Sequence, residues 1–281
     1  MLGAICGDIL GSGYEFEEKK YPDLSKIKLM NEKDEATDDT AMTIAVADWL
    51  LHDINGVEDV EKLKLSLAKR FVEYAFEKFE ARKLGFGFNF WQWLCKGNLI
   101  NEYAPYNSYG NGAGMRVSPI GWYFETLEET LRFAKISADV SHNHPEGEKG
   151  AMCIAAAVYW ARTGKNKKEI KELLYEKFGY EQLNSTVSVL RTECKWSAIC
   201  QDTVPMAVVA FIESDDYTSA LKNAISYGSD SDTICAMTGA IAEAYYKDIP
   251  ENLVIHCKGR LPVSVLETCD EFYEKISYMQ K

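Results

Sequence analysis

Two short acidic segments, far apart in the chain, carry the side chains best suited to chemistry. In chain order their polar residues are Thr37, Asp38, Asp39, Asp230, Asp232 and Thr233. Carboxylate and hydroxyl oxygens are the ligands that Mg²⁺ and Mn²⁺ accept, and neither segment contains His or Cys, which disfavours zinc. If the segments converge in the fold, they predict a pair of divalent cations held between them.

Helix capping is the alternative interpretation of each segment taken alone. Asp and Thr are favoured N-cap residues, worth typically about 1 kcal/mol, and the helix dipole adds roughly 0.3–1 kcal/mol for an anion. However, two carboxylates about 4 Å apart near a protein surface repel by roughly 4 kcal/mol at an effective dielectric constant near 20. Four converging acids therefore exceed what two helix ends neutralise, and a hard dication removes the conflict. Convergence itself is an assumption of this prediction.

The N-terminal segment GAICGDILGSGYEFE adds a third element. Gly3, Gly7 and Gly11 recur every four residues, so on a helix they form a smooth stripe that allows close approach of another backbone. Asp8 lies within this apolar helix and needs polar partners. Glu15 follows Asp8 by two helical turns, on the same face if the helix continues that far.

Apolar residues recur at helical spacing almost throughout the chain. The clearest segments are residues 60–82, 150–164 and 167–179. Gly164 and Gly179 are placed to end two of these helices, and Pro205 is expected in the first turn of another. Residues 185–193, STVSVLRTE, fit a strand or a helix equally well. The pattern predicts an all-α single domain over residues 1–281.

The composition limits the partners expected for the chain. A formal net charge of −12 and a pI near 4.9 argue against a broad nucleic-acid surface, which needs clustered Lys and Arg, but leave room for a small anionic ligand. The eight cysteines form no CxxC pair and no zinc spacing, so we expect reduced core thiols in a cytoplasmic protein. Neither a secretory signal nor a membrane-spanning segment is expected.

The acidic segments occur with three further motifs in one order. The five are GAICGDILGSGYE (3–15), TDDTAM (37–42), SYGNGAGMR (108–116), SHNHPEGEKGA (141–151) and GSDSDT (228–233). This ordered set resembles the ADP-ribosylglycohydrolase family over nearly the whole chain. The resemblance implies a compact orthogonal helical bundle whose central cleft holds two divalent cations, Mg²⁺ or Mn²⁺.

The resemblance also implies roles for the acidic residues. Matched by motif, the metal ligands would be Thr37, Asp38, Asp39, Asp230, Asp232 and Thr233. The reaction would be hydrolysis of the bond between C1″ of ADP-ribose and an acceptor, with the ribose diol on the cations and a bound water attacking. Glu15, Asp39 and Asp232 are the candidates for general base or acid, and the sequence does not rank them.

The segment NSYGNGAGMR suits a diphosphate, because glycines expose backbone N–H groups and let an anion approach. A tight turn before the next helix is the alternative. The residues that the resemblance places along the ADP-ribose channel are Ser108, Tyr109, Gly110, Asn111 and Gly112, with Arg116 nearby. It also places His142 at the ribose or phosphate, although His142 and His144 taken alone fit loop or helix-cap roles.

Other functions use the same residues. A dimetal hydrolase acting on another nucleotide or on a phosphoester would need the same carboxylates, and a non-catalytic binding or immunity protein is a further alternative. The acceptor is open between arginine, serine, a nucleobase and a small molecule. We expect it to be selected by loops at the mouth of the cleft, such as the aromatic-rich segment 86–106. A monomer is expected.

Overall fold

The computed structural model describes residues 1–17 and 19–279, which form helices and loops without a β-strand among them. The α-helices are α1 (Leu2–Ser12), α2 (Asp38–His52), α3 (Val60–Glu73), α4 (Phe88–Ile100), α5 (Gly112–Met115), α6 (Ser118–Tyr123), α7 (Leu127–Asp139), α8 (Pro145–Arg162), α9 (Lys167–Phe178), α10 (Val187–Glu193), α11 (Cys200–Ile212), α12 (Tyr217–Ile225), α13 (Ser231–Tyr246), α14 (Glu251–Lys258) and α15 (Val263–Met279). The predicted all-α fold is therefore confirmed.

Helices that are buried on nearly every side form the centre of the fold. α13 is buried from Ser231 to Ala244, and α2 is buried from Asp39 to Leu50. α1, α8 and α11 pack around α13. The outer helices bury only a stripe, as α9 does with Ile170 and its neighbours one and two turns on. The acidic motifs consequently begin two helices that are buried along most of their length.

The glycine stripe of α1 lies directly against α13. A Cβ atom added at Gly7 would lie 2.1 Å from the Cys235 carbonyl oxygen, and one added at Gly11 would lie 2.5 Å from the Ser231 carbonyl oxygen. At Gly3 the carbonyl of Gly239 would be equally obstructive, at 2.3 Å. Only residues without a side chain fit such a contact. The two helices therefore run antiparallel, and this close pairing carries the last turn of α1 to the first turn of α13.

Two predicted helix ends are confirmed, and one predicted start is wrong. Gly164 and Gly179 follow α8 and α9 with φ of +92° and +64°. Pro205, by contrast, lies inside α11, because that helix begins at Cys200 and not beside the proline. Proline has no N–H for the carbonyl one turn earlier, at Gln201. The side-chain amide of Gln182 donates to that carbonyl instead, at 3.4 Å.

Two segments that the sequence left open are helical. Residues 185–193 contain α10, where the Thr186 hydroxyl accepts from the Val189 N–H and caps the helix, which excludes the strand. Most of the aromatic-rich segment 86–106, which we expected to be a loop, is α4. All eight cysteines are free thiols. No described helix combines the length and apolarity needed to cross a bilayer.

Candidate active site

A cavity of about 390 Å³ opens where the starts of α2, α4 and α13 meet the loop before α5. Carboxylates form one side of this cavity, and the glycine loop with His142 forms another. The lining residues that the sequence had singled out are Glu15, Asp38, Asp39, Ser108, Gly110, Asn111, Gly112, Arg116, His142, Asp230, Asp232 and Thr233. Thr37 and Tyr109 do not line it.

The two acidic segments meet at this cavity through their helix starts. Thr37 caps α2, whereas Asp230 occupies the N-cap position of α13 without a side-chain cap hydrogen bond. The Thr233 hydroxyl of α13 donates to Asp39 of α2 and joins the two helix starts. Carboxylate oxygens of Asp8, Asp39 and Asp232 lie within 4.8 Å of one another. Those of Glu15, Asp230 and Asp232 form a second such group. The two groups share Asp232, which is the arrangement that two neighbouring cations would need.

Asp8 ties α1 to the start of α2. Its Oδ1 accepts from the Thr37 hydroxyl at 2.7 Å, and its Oδ2 accepts from the backbone N–H groups of Thr37 and Thr40, both at 3.0 Å. These are donors that a helix N-terminus leaves without intrahelical partners. The sequence indicated that Asp8 needs polar partners but did not assign it to the site. The Thr37 hydroxyl is oriented toward Asp8.

Glu15 reaches the cavity by a route that differs from the predicted one. We expected α1 to continue through Glu15, but α1 ends at Ser12, and the Glu15 N–H donates to the Ser12 carbonyl in a turn. The half-buried carboxyl group still approaches Asp230 and Asp232. Burial, followed by the charges of Asp230 and Asp8, raises the pKa of Glu15 to about 7.

The surroundings of three further carboxyl groups disfavour their charged form unless a cation is bound. Burial, reinforced by the neighbouring acids, raises the pKa of Asp38, Asp39 and Asp232 well above the usual range. Asp39 Oδ2 accepts from the Thr233 hydroxyl at 3.0 Å, yet its buried Oδ1 has no partner within residues 1–17 and 19–279, and the same holds for Oδ1 of Asp232. Two orphaned carboxylate oxygens in an all-oxygen donor set fit hard divalent cations.

The glycine loop is positioned by the start of α11. The Asn111 N–H donates to the Ala198 carbonyl, and the Cys200 N–H donates to the Tyr109 carbonyl, both at 3.0 Å. The Asn111 side chain crosses to the acidic side, where it donates to Asp230 Oδ2 at 2.7 Å. The half-exposed ring of Tyr109 packs against His144 outside the cavity. His144 accepts from a backbone N–H at the start of α8, the cap role considered from sequence.

Arg116 and His142 meet behind the glycine loop. Arg116 is fully buried, with its guanidinium 4.4 Å from the ring centre of Phe71, and it donates to the Ser141 hydroxyl at 3.0 Å. Its Nε and Nη1 atoms have no partner among the described residues. Burial lowers the pKa of Arg116 to about 10, so the group stays charged at neutral pH.

Three aromatic residues lie on the rim of the cavity; Phe88 belongs to the aromatic-rich segment expected there, whereas sequence reasoning missed Phe16 and Trp196. Phe16, Phe88 and Trp196 line it from three different segments and are 80%, 72% and 42% exposed. Large apolar side chains in loops and at helix starts are the signal that could have found two of them. Their positions allow contact with a flat ring or an apolar group at the mouth.

Comparisons with known proteins point to one family. The sequence matches the ADP-ribosylglycohydrolase family over residues 1–280. It is 28% identical to ADP-ribosylhydrolase ARH3 of Homo sapiens, across 95% of this chain and 90% of that protein. It is 26% identical to the ADP-ribosyl-(dinitrogen reductase) glycohydrolase of Rhodospirillum rubrum, across 89% and 85%.

A solved structure supports the fold. The chain superimposes on an ADP-ribosylglycohydrolase-related protein complex with a TM-score of 0.61, at 19% identity, covering 92% of this chain and 96% of the other. Together with the match over nearly the full length, this establishes that the chain belongs to the ADP-ribosylglycohydrolase family.

Proposed function

We propose that the protein hydrolyses the glycosidic bond at C1″ of ADP-ribose attached to an acceptor, with two Mg²⁺ or Mn²⁺ ions in the cavity. The observation that carries the proposal is the pair of carboxylate groups sharing Asp232, which face a glycine loop across one cavity. A chain of this family with both halves of that site has a place for cations and a place for a diphosphate.

The cations would be held by the two helix starts. The ligand residues in this proposal are Thr37, Asp38, Asp39, Asp230, Asp232 and Thr233. Thr37 lies outside the cavity lining and its hydroxyl donates to Asp8, so it would have to turn toward the cation to become a ligand. The partnerless oxygens of Asp39 and Asp232 are the donor atoms that most need a cation. Divalent ions there would supply Lewis acidity, which orients the ribose 2″ and 3″ hydroxyls and makes water a better nucleophile.

Glu15 is the residue that we assign to proton transfer. Asp39 and Asp232, the other two candidates, are buried and each directs an oxygen without a described partner toward a cation. Glu15 also belongs to the second carboxylate group, but it lies on a turn and is half exposed. A half-exposed carboxylate beside the cations can take a proton from the attacking water and return it to the leaving group. Asp39 and Asp232 then act by holding the cations and excluding bulk water.

The glycine loop and His142 would hold the diphosphate. Six carboxyl groups lie around the acidic side, so a diphosphate must bind on the opposite wall, away from their repulsion. Gly110 and Gly112 allow an anion to approach the backbone there, and Ser108 and Asn111 fix the loop shape. The charge of Arg116 lies behind this wall and favours an anion in front of it.

Calorimetric titration of ADP-ribose, with Mg²⁺ and again with a chelator, tests this function. We expect binding that requires the cation, because the diol contacts need it. ADP and ribose 5-phosphate serve as matched ligands that each lack half of the molecule. Peptides ADP-ribosylated on arginine or serine then identify the acceptor by release of ADP-ribose. Absence of ADP-ribose binding with Mg²⁺ present would favour another dimetal hydrolase.

A further inference from the structure

A chain of three polar side chains runs behind the glycine loop and ends at the cavity. Arg116 Nη2 donates to the Ser141 hydroxyl oxygen at 3.0 Å and also to the Ser137 carbonyl at 3.2 Å. The Ser141 hydroxyl lies 2.8 Å from Nδ1 of His142. Both Arg116 and Ser141 are fully buried, and His142 is nearly so. The hydrogen of the buried Ser141 hydroxyl therefore needs a protein acceptor.

The hydrogen-bond donors and acceptors around Ser141 select one tautomer of His142. Arg116 is only a donor, so the Ser141 oxygen must accept from it. If Nδ1 of His142 carried a proton, Ser141 would accept twice, and its own hydrogen would have no acceptor among the described residues. If Nδ1 is bare, the Ser141 hydroxyl accepts from Arg116 and donates to Nδ1, so both its oxygen and its hydrogen are paired. The proton of the neutral ring then resides on Nε2.

Nε2 of His142 faces the cavity at the glycine loop. A Cβ atom added at Gly112 would lie 2.9 Å from Nε2, so only glycine leaves room for the ring there. The rings of Phe90 and Tyr106 flank the imidazole, with centroids 6.0 and 5.8 Å away, and hold its plane. Burial, together with the nearby Arg116 charge, lowers the pKa of His142 well below its usual range.

We propose that Ser141 and Arg116 are positioning residues that fix His142 as the Nε2–H tautomer, which donates a hydrogen bond to an anionic oxygen bound beside Gly112. The inference rests on the proposed function for the identity of that oxygen, which belongs to the ADP-ribose diphosphate. A fixed neutral donor binds the anion with the same strength across the pH range in which a free histidine would gain or lose charge.

Nitrogen-15 spectroscopy of the histidine rings tests the tautomer directly. The chain has four histidines, and a spectrum of the His142→Gln variant identifies the signals of His142. We expect a bare Nδ1 and a protonated Nε2 in the Mg²⁺-loaded protein between pH 6 and 8, and in the Ser137→Ala control. A protonated Nδ1 in the unaltered protein would overturn the proposal.

Binding of ADP-ribose tests the positioning role. Ser141→Ala should weaken binding about tenfold, the effect of losing one oriented hydrogen bond to a charged group. Ser137→Ala is the matched control, since this equally buried hydroxyl donates to the Ala134 carbonyl and not to His142. We expect that control to stay within about twofold of the unaltered protein.

A double variant separates positioning from general damage. Glutamine at residue 142 carries its own amide donor and does not depend on Ser141, so adding Ser141→Ala to His142→Gln should change affinity by less than about twofold. An equal loss in both backgrounds would show that Ser141 acts only structurally and would overturn the inference. If the unaltered protein binds no ADP-ribose, the proposed function fails, whereas the nitrogen spectrum still confirms or overturns the tautomer.

Discussion

The carboxylates of the cavity differ in what their oxygens contact. Both oxygens of Asp8 accept hydrogen bonds from the start of α2, so this side chain has a structural function. Asp39 and Asp232 each keep one buried oxygen without a donor. Asp8 therefore stabilises the folded protein, whereas Asp39 and Asp232 destabilise it until a cation binds. The two kinds should respond to substitution in opposite ways.

Asp232→Asn should abolish turnover without weakening the metal-free protein. The neutral asparagine amide cannot replace the Asp232 carboxylate as a ligand in both carboxylate groups. Metal catalysis contributes several kcal/mol, so its loss should reduce kcat about a thousandfold or more. Removing one of several mutually repelling charges leaves the unfolding free energy in chelator unchanged or higher. An ADP-ribose release assay and urea unfolding measure the two effects.

Asp59→Asn is the matched control for that substitution. Asp59 caps α3 far from the cavity, and asparagine caps a helix about as well. Turnover should be unaffected in this variant. Near-normal turnover by Asp232→Asn itself would contradict the shared-ligand role of Asp232.

Asp8→Asn should destabilise the protein, in contrast to Asp232→Asn. One carboxylate oxygen would become an NH₂ group facing the donors of Thr37 or Thr40, which leaves buried N–H groups without an acceptor. Each unsatisfied group costs about 1–3 kcal/mol. Urea unfolding in chelator at pH 7 measures the loss. An unfolding free energy equal to that of the unaltered protein would show that these hydrogen bonds contribute little.

At the scale of elements, the contact between α1 and α13 supports the whole site. Gly7→Ala would place a methyl carbon 2.1 Å from the Cys235 carbonyl oxygen, where backbone rather than a flexible side chain obstructs it. Separating the helices should cost more than about 3 kcal/mol and move Asp8 away from Asp232. Thermal unfolding and Mg²⁺ titration measure both effects.

Gly259→Ala controls for the loss of a glycine as such. Gly259 has φ of −66°, and an added Cβ would find its nearest atoms at 3.5 and 3.6 Å, an ordinary contact. We expect the free energy of unfolding to change by no more than about 1 kcal/mol. It should increase if alanine reduces the conformational freedom of the unfolded chain. Tolerance of Gly7→Ala to the same degree would refute the close-packing requirement.

The helices were largely predictable from sequence, whereas several of their boundaries were not. Gly164 and Gly179 signalled helix ends through a local conformational requirement, and both signals held. Pro205 misled because its cost inside α11 is offset by the Gln182 amide, a contact from another part of the chain. Glu15 lies beyond the end of α1 because the chain turns there, although the local pattern would continue the helix. Such decisions depend on neighbours that spacing alone does not reveal.

At the scale of the molecule, the convergence of the two acidic segments was an assumption from sequence that the structure supports. Spacing along each segment indicated ligands, but tertiary contacts bring Asp39 and Asp232 together. Asp8 joins α1 to the start of α2, the glycine stripe joins α1 to α13, and the Thr233 hydroxyl donates to Asp39. For the same reason, the sequence could not predict that Tyr109 lies outside the cavity or that Asp8 bonds to the start of α2. The order of the motifs was enough to indicate the family. The distances between side chains could be obtained only from the folded structure.

The charge balance of the cavity predicts how the stability of the metal-free protein depends on pH. Burial raises the pKa of Asp8 to about 6, and that of Glu15 to about 7, above the values of an unfolded chain near 4. The folded protein therefore binds more protons than the unfolded chain between about pH 4 and 7, and its stability falls as pH rises through this window. Saturating Mg²⁺ replaces those protons and should flatten the dependence.

Thermal unfolding at pH 5 and pH 8, in chelator and in Mg²⁺, measures this linkage. In chelator we expect the Tm to be lower at pH 8 by several degrees. In Mg²⁺ the difference should shrink, because the cation stabilises the charged form of the cavity. A Tm that rises from pH 5 to pH 8 in chelator would contradict the raised pKa values.

The pairing of α1 with α13 also sets the order in which the protein can be completed during synthesis. α1 is made early, yet the backbone surface that its glycines fit appears only after residue 231 has been translated. Until then the glycine stripe of α1 has no helix to pack against, and the acids of α2 lack the acids of α13 that complete the cavity. Contacts between such distant parts of a chain form slowly and leave intermediates with exposed apolar surface. Cation binding should therefore be among the last events of folding on the ribosome.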